Sequence, residues 1–113
     1  MSIEDLDVID RVADNLQKNQ TVLVISDHLE WGADEEEHLR LLQEKIRTYL
    51  GFIETGEIYS VHPEAKGKSL AILVFFKYEP KGEMVDVFIP KLAEFLEGRG
   101  IEWQTRRIKS SMN

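Results

Sequence analysis

The sequence predicts an α/β domain of the α+β kind, a two-layer β-β-α-β-α-β sandwich with two helices on a four-stranded mixed sheet. Three observations predict it. The runs TVLVIS (Thr21 to Ser26) and LAILVFF (Leu70 to Phe76) are rich in β-branched and aromatic residues and are bounded by turn-forming ones. Between them Leu39, Leu42, Ile46, Tyr49 and Ile53 recur at spacings of three and four, which makes one apolar helical stripe. The 113 residues hold no repeat, low-complexity segment or interior linker, so residues 1–113 are expected to form a single domain. Strand-helix-strand units build parallel pairs with right-handed crossovers. With both helices on one face, the simplest sheet order is 1-2-3-4, with strand 1 antiparallel to the rest.

The first strand is expected at Val8 to Ala13, followed by a polar, turn-like Asp14 to Gln20, although a helix is the competing reading there. Thr21 to Ser26 forms the second strand, and the pair suggests a hairpin with a longish loop. The first helix is the clearest element. Asp34 can cap it, and Glu37 three residues on completes a capping-box-like pattern. Acids in the first turn suit the positive end of the helix dipole. Leu41, Leu50 and Phe52 widen the stripe, and Gly56 is a natural stop. EIYSVHPEAKGKS, with Pro63 and Gly67, is expected to be a loop. The third strand spans Leu70 to Tyr78, and EPKG is a turn. In EMVDVFIPKLAEFLEGRG the spacing of Val85, Phe88 or Ile89, Leu92, Phe95 and Leu96 is helical, while Pro90 should kink the helix or mark its start. Ile101 to Ile108 is the last strand, and KSSMN a frayed tail.

Composition bounds the chemistry. Apolar content of 42% and charged content of 31% describe a soluble globular protein. No cysteine is present, which excludes a disulfide framework and thiolate chemistry and fits a reducing compartment. The acidic start MSIEDLDVID lacks the apolar core of a signal peptide, and LAILVFF is too short to cross a bilayer. A cytoplasmic protein with no membrane contact is expected. Net charge is −7. Residues 1–38 hold eleven acids against two bases, and residues 39–113 ten acids against twelve bases. That balance argues against nucleic acid and would steer a basic partner.

In open α/β sheets, sites form outside the carboxyl ends of parallel strands. Asp27, His28 and Trp31 follow the second strand, Tyr78 and Glu79 end the third, and Arg106 and Arg107 end the fourth. These residues form a candidate binding mouth, with Trp31 expected to be partly exposed near His28 or Arg107. Equally, a strand-to-helix turn uses such residues structurally: Asp27 bonding loop amides, Trp31 packing as a staple. The acids Asp34, Glu35, Glu36 and Glu37 are a candidate partner surface. Catalytic signatures are lacking: no nucleophile elbow, zinc-protease helix, phosphate loop or dinucleotide fingerprint occurs. Asp27, His28 and His38, with Glu37 and His62, are conceivable metal ligands, but their spacing fits no standard pattern. No cofactor and no metal are expected.

The segments TVLVISDHLEW, EHLRLLQEKIRTYLGFIETGEIY and PEAKGKSLAILVFFKYEP resemble a family of small bacterial domains of unknown function. The residues that carry the likeness include Ser26, Asp27, His28, Trp31, Leu42, Tyr49, Phe52, Gly56, Tyr59, Pro63, Gly67, Lys77, Tyr78 and Pro80. The resemblance implies the fold and a bacterial origin, and no chemistry. Two functions are weighed. One is a non-enzymatic protein-interaction module, in its sharpest form an acidic immunity-type protein that binds a basic partner. The other is a small ligand-binding or enzymatic domain using the mouth at Asp27, His28 and Trp31. A homodimer through the sheet is also expected, because two helices cover only one face and both strands TVLVIS and LAILVFF are apolar on both.

Overall fold

The computed structural model describes residues 3–32 and 34–107. Its elements are β1 (Arg11–Asn15), β2 (Gln20–Asp27), α1 (Glu35–Glu54), α2 (Glu57–Val61), a 3-10 turn at Pro63–Ala65, β3 (Ser69–Phe76), α3 (Glu83–Glu97) and β4 (Ile101–Arg107). The sheet runs β1-β2-β3-β4. β1 is antiparallel to β2, while β2, β3 and β4 are parallel. This is the expected α+β class and strand order. Ile108 and the tail Lys109 to Asn113 lie outside the described residues.

The strand periods sort the faces. Leu23 and Ile25 of β2 join Ile72, Val74 and Phe76 of β3 in the main core, under Leu39, Leu42, Ile46 and Tyr49 of α1 and Val85, Leu92 and Leu96 of α3. Both long helices therefore cover one face. Val22, Val24, Ala71 and Leu73, with Phe75 beside them, form a second cluster on the other face. That face is less bare than two helices on one side would suggest: none of these four is more than 8% exposed. Long polar side chains lie beside the floor. Gln20 Nε2 donates to Glu102 Oε1 at 2.9 Å, Gln104 Nε2 donates to Glu102 Oε2 and Gln20 Oε1 at 3.0 Å, and Lys18 Nζ approaches Glu102 Oε2 at 3.2 Å.

Three elements differ from expectation. β1 starts three residues later, at Arg11, because residues 3–10 serve another purpose. They run over α1 as an irregular strap. Lys45 Nζ donates to the carbonyls of Asp5 at 2.5 Å and Val8 at 2.6 Å, and the Thr48 hydroxyl donates to that of Leu6 at 2.6 Å. Ile3 N–H donates to the Ser26 carbonyl at 2.9 Å, and its side chain is fully buried. The expected loop after α1 contains α2. Gly56, at φ 83°, turns the chain sharply and also precedes α2, whose Ile58 is fully buried. At five residues α2 is too short to show helical periodicity. Finally, α3 runs through Pro90 without a break. The ring removes only the donor to the Asp86 carbonyl, at an exposed position where water can replace it.

Two carboxylates tie turns to the sheet and make stability depend on pH. Burial disfavours the Asp14 charge, but hydrogen bonds from Thr21 and His62 and the positive His62 and Lys68 outweigh it and hold its carboxyl below 3.8. Hydrogen bonds from Gln20, Gln104 and Lys18 hold Glu102 below 4.5. A carboxyl depressed on folding stabilises above its unfolded value, and the contribution is lost as pH falls through the folded one. Thermal stability is therefore expected to drop between about pH 5 and pH 2. The double variant Asp14→Asn, Glu102→Gln should show a shallower drop in scanning calorimetry, and a parallel one would contradict this account.

Candidate functional site

Asp27 ends β2 with its side chain buried in the core. Oδ1 accepts the Leu29 N–H at 3.1 Å, which turns the chain away from the sheet. The imidazole of His38, in the first turns of α1, meets the same carboxylate: Nε2 lies 2.8 Å from Oδ1 and 2.6 Å from Oδ2. Nδ1 lies 3.2 Å from the Glu30 carbonyl. Trp31 stacks on the imidazole with centroids 3.5 Å apart and planes 14° from parallel, and its other neighbour is Phe76 at 6.1 Å. Asp27, Trp31 and His38 are 1%, 8% and 3% exposed.

This arrangement fastens β2 to α1. Both ring nitrogens face acceptors, Nε2 the Asp27 carboxylate and Nδ1 the Glu30 carbonyl, so the imidazole is engaged on both sides within the fold. Trp31 Nε1 is buried with no hydrogen-bond partner, so the indole serves as an apolar plate.

The structure brings together only part of the expected mouth. Asp27 and Trp31 meet, but through His38 and not His28. His28 is half-exposed and pairs with Glu4 at 3.3 Å. Trp31, expected to be partly exposed near His28 or Arg107, is instead a core residue. Tyr78 and Arg107 do share a polar hollow of about 330 Å³ with Trp31, Glu30, Glu79 and Lys81. Arg106 does not, because strand alternation turns it to the opposite face, beside Val24, Leu73 and Phe75. The conceivable metal ligands are scattered as well. Glu37 pairs with Arg40 and His62 with Asp14. Among the described residues no three His, Asp or Glu side chains converge on a common point.

Three of the four acids of the expected partner surface have structural duties. Asp34 caps α1, accepting the Glu37 N–H at 3.1 Å. Glu37 forms a bidentate pair with Arg40 at 2.8 Å. Glu35 lies against Gly82 at the start of α3: a Cβ there would sit 2.0 Å from its Oε1. α3 has no side-chain cap of its own, and the carboxylate offsets its positive end instead. Glu36, exposed like Asp34 and Glu37, has no such partner among the described residues and lies beside a groove between α1 and α3.

That groove was missed at the sequence level. It consists of two adjoining hollows of about 590 and 510 Å³ that share Gln43, Phe88 and Lys91. Met84, Val87 and Phe95 of α3 border it and are 46%, 58% and 47% exposed. Its signal was legible. Met84, Val87, Phe88 and Phe95 follow helical spacing on a second side of a helix whose core stripe is Val85, Leu92 and Leu96.

A second buried polar group also went unnoticed. Lys45 is fully buried, with Asp10 Oδ1 at 2.8 Å from its ammonium, too oblique for a hydrogen bond but close enough for strong ion pairing. Asp10 Oδ2 accepts the Ser26 N–H at 3.0 Å. The Tyr49 hydroxyl accepts the Asp10 N–H at 2.8 Å and donates to the Val24 carbonyl. Burial, helped by the Asp10 charge, pushes that hydroxyl well above the ordinary tyrosine range, so it stays protonated and keeps donating. Lys45 falls between Leu42 and Tyr49 on the apolar stripe, which marks it as a polar residue facing the core.

Fold and site together define an open-sheet α+β domain whose polar centre is a closed structural fastener. The chain belongs to a family of unknown function, DUF6572, whose model matches residues 1–109. No curated protein and no solved structure matches it.

Two stability measurements check these assignments. Trp31→Ala is expected to cost about 3–5 kcal/mol in urea unfolding, as for other buried aromatics, whereas His28→Ala should stay within about 0.5 kcal/mol. Equal effects would put the fastener at the wrong histidine side of Trp31. Lys45→Ala strands the Asp10 carboxylate and should cost about 3–5 kcal/mol. The Asp10→Ala, Lys45→Ala pair should lose less than the sum of the single changes.

Proposed function

We propose that this protein is a non-enzymatic protein-interaction module of bacterial origin, acting in the cytoplasm, that receives a partner in the groove between α1 and α3. The observation that carries the reading is the second apolar side of α3. Met84, Val87 and Phe95 are about half exposed along one groove, on a chain whose other large apolar side chains are mostly buried. Adjacent exposed apolar residues rimmed by charge mark interaction surfaces. Glu36 and Glu83 border the groove at one end and have no cationic partner among the described residues. They suit basic groups on the partner, in keeping with an acidic immunity-type protein. Nucleic acid and membrane are not part of this reading, and no helix among the described residues is long and apolar enough to cross a bilayer. Pairing of two copies through the sheet draws on the hollow of about 480 Å³ beside Leu16, Val24 and Phe75. It is the weaker proposal, since the floor of that face is already buried.

The alternative, a small-molecule site at the mouth, keeps one support, the polar hollow lined by Trp31, Tyr78, Lys81 and Arg107. A quantitative pull-down from the native host separates the two. The partner should be lost with Val87→Arg and retained with Leu16→Arg, which changes a still more exposed apolar residue on the β1-β2 turn. Glu36→Lys should slow association with that partner, most visibly at low salt. Loss of the partner with Arg107→Ala but not with Val87→Arg would move the function to the mouth.

A further inference from the structure

We infer that the occupant of the α1-α3 groove is a single amphipathic helix whose face carries a basic residue and, two turns away, an acidic one. The inference rests on the groove being the partner surface and names what fills it. α1 and α3 each follow a strand of the parallel set and return to the next one, so they run side by side with their N-termini at the same end of the sheet. Two such helices leave a furrow between them, and a third helix fills a furrow of that shape by packing its ridges into it. The apolar side of α3 has the matching pattern. Met84, Val87 or Phe88, position 91 and Phe95 recur at three- and four-residue steps, which is the seam that one helix offers another. The length also fits, since Met84 to Phe95 spans about 16 Å at 1.5 Å per residue, or three turns.

Charge sets the polarity of the occupant. The N-terminal end of the groove has Glu36 on one wall and Glu83 on the other. Lys91 lies in the middle, at the junction of the two hollows. None of these three pairs with an opposite charge among the described residues, so each is available to a ligand. Glu83 and Lys91 are about 12 Å apart along the helix, which equals seven or eight residues of a helix lying parallel to it. The far end of the groove is bounded by an ion pair. Arg99 Nη1 reaches Glu54 Oε2 at 2.6 Å, joining the ends of α3 and α1, and the guanidinium lies 4.5 Å over the Phe95 ring. The occupant therefore lies with its basic residue at the acidic end and its acidic residue over Lys91.

The test uses the full-length protein and a helix-biased library of 16-residue peptides displayed on phage. Selection on the wild-type protein should enrich peptides with apolar residues at i, i+3 or i+4 and i+7, a base near one end and an acid seven or eight residues from it. Synthetic copies should gain helicity in circular dichroism on binding and should bind Val87→Arg at least tenfold more weakly. Selection on Lys91→Glu, an exposed change that should leave the melting temperature in place, should replace the acid by a base. Enriched peptides without helical periodicity, an unchanged charge preference on Lys91→Glu, or an empty selection would each overturn the helical occupant. The module reading stands or falls separately, on the sensitivity of the host partner to Val87→Arg.

Discussion

A buried ammonium fixes the layout of this domain. Lys45 sits on the core side of α1 with no exposure at all, and an ion so placed must be surrounded by acceptors. Two of them are main-chain carbonyls at Asp5 and Val8, which explains why residues 3–10 lie as an irregular strap and not as strand: a ladder would use those carbonyls elsewhere. The third is Asp10, whose other oxygen holds the Ser26 N–H and so sets where β1 can begin beside β2. Tyr49 closes the circuit between the Asp10 N–H and the Val24 carbonyl. Helix, strap and sheet are thus tied at one point, and Ile3 enters the core because the strap brings it there. A methionine at position 45 would fill the same space but would leave the strap without a reason for its course.

The N-terminal end of the same helix is tied by a different device. Asp27 and His38 are eleven residues apart and join the last residue of β2 to the start of α1, with Trp31 as the plate that keeps water away. The location is the one where open α/β sheets usually bind ligands. Here the groups that would do chemistry are used up in holding the turn. The exposed apolar surface lies in the helix layer instead, where Phe88 is half buried between α1 and α3. The difference follows from packing. β2 and β3 are central and demand cover, and α1 with its twenty residues gives most of it. α3 is shorter, and its Met84, Val87 and Phe95 stay about half exposed along the space between the two helices.

Much of the fold was legible because period and composition determined it. The strands TVLVIS and LAILVFF have few alternatives, and crossover handedness then orders the sheet. The alternation of Leu23 and Ile25 against Val22 and Val24 even separates the two faces correctly. The site was legible only in part. Asp27 and Trp31 stood out as polar and aromatic residues at a strand end, but sequence neighbours suggested His28. One helical turn brings His38 back over Asp27, and only the geometry of the turn reveals this. α2 was too short to have a period, and Ile3 lay in a segment whose order depends on a lysine forty residues away. The second apolar side of α3 was in plain view, though masked by the assumption that every apolar residue of a helix faces one core.

The uneven charge also takes on a different meaning. The excess of acids in residues 1–38 resembled a steering field for a basic partner. Most of those acids have internal duties instead. Glu4 faces His28, Asp10 faces Lys45, Asp14 faces His62 and Lys68, Asp27 holds His38, Asp34 caps α1 and Glu37 holds Arg40. A carboxylate beside Lys or Arg, as at Asp10 with Lys45, Asp14 with Lys68 and Glu37 with Arg40, acts at a distance as part of a dipole, and salt screens the remaining net charge of −7 beyond about 10 Å. On the proposed reading, Glu36 and Glu83 at the mouth of the groove, with Lys91 further in, would supply local contacts to a partner. Specificity would come from apolar shape, with a few charges setting direction.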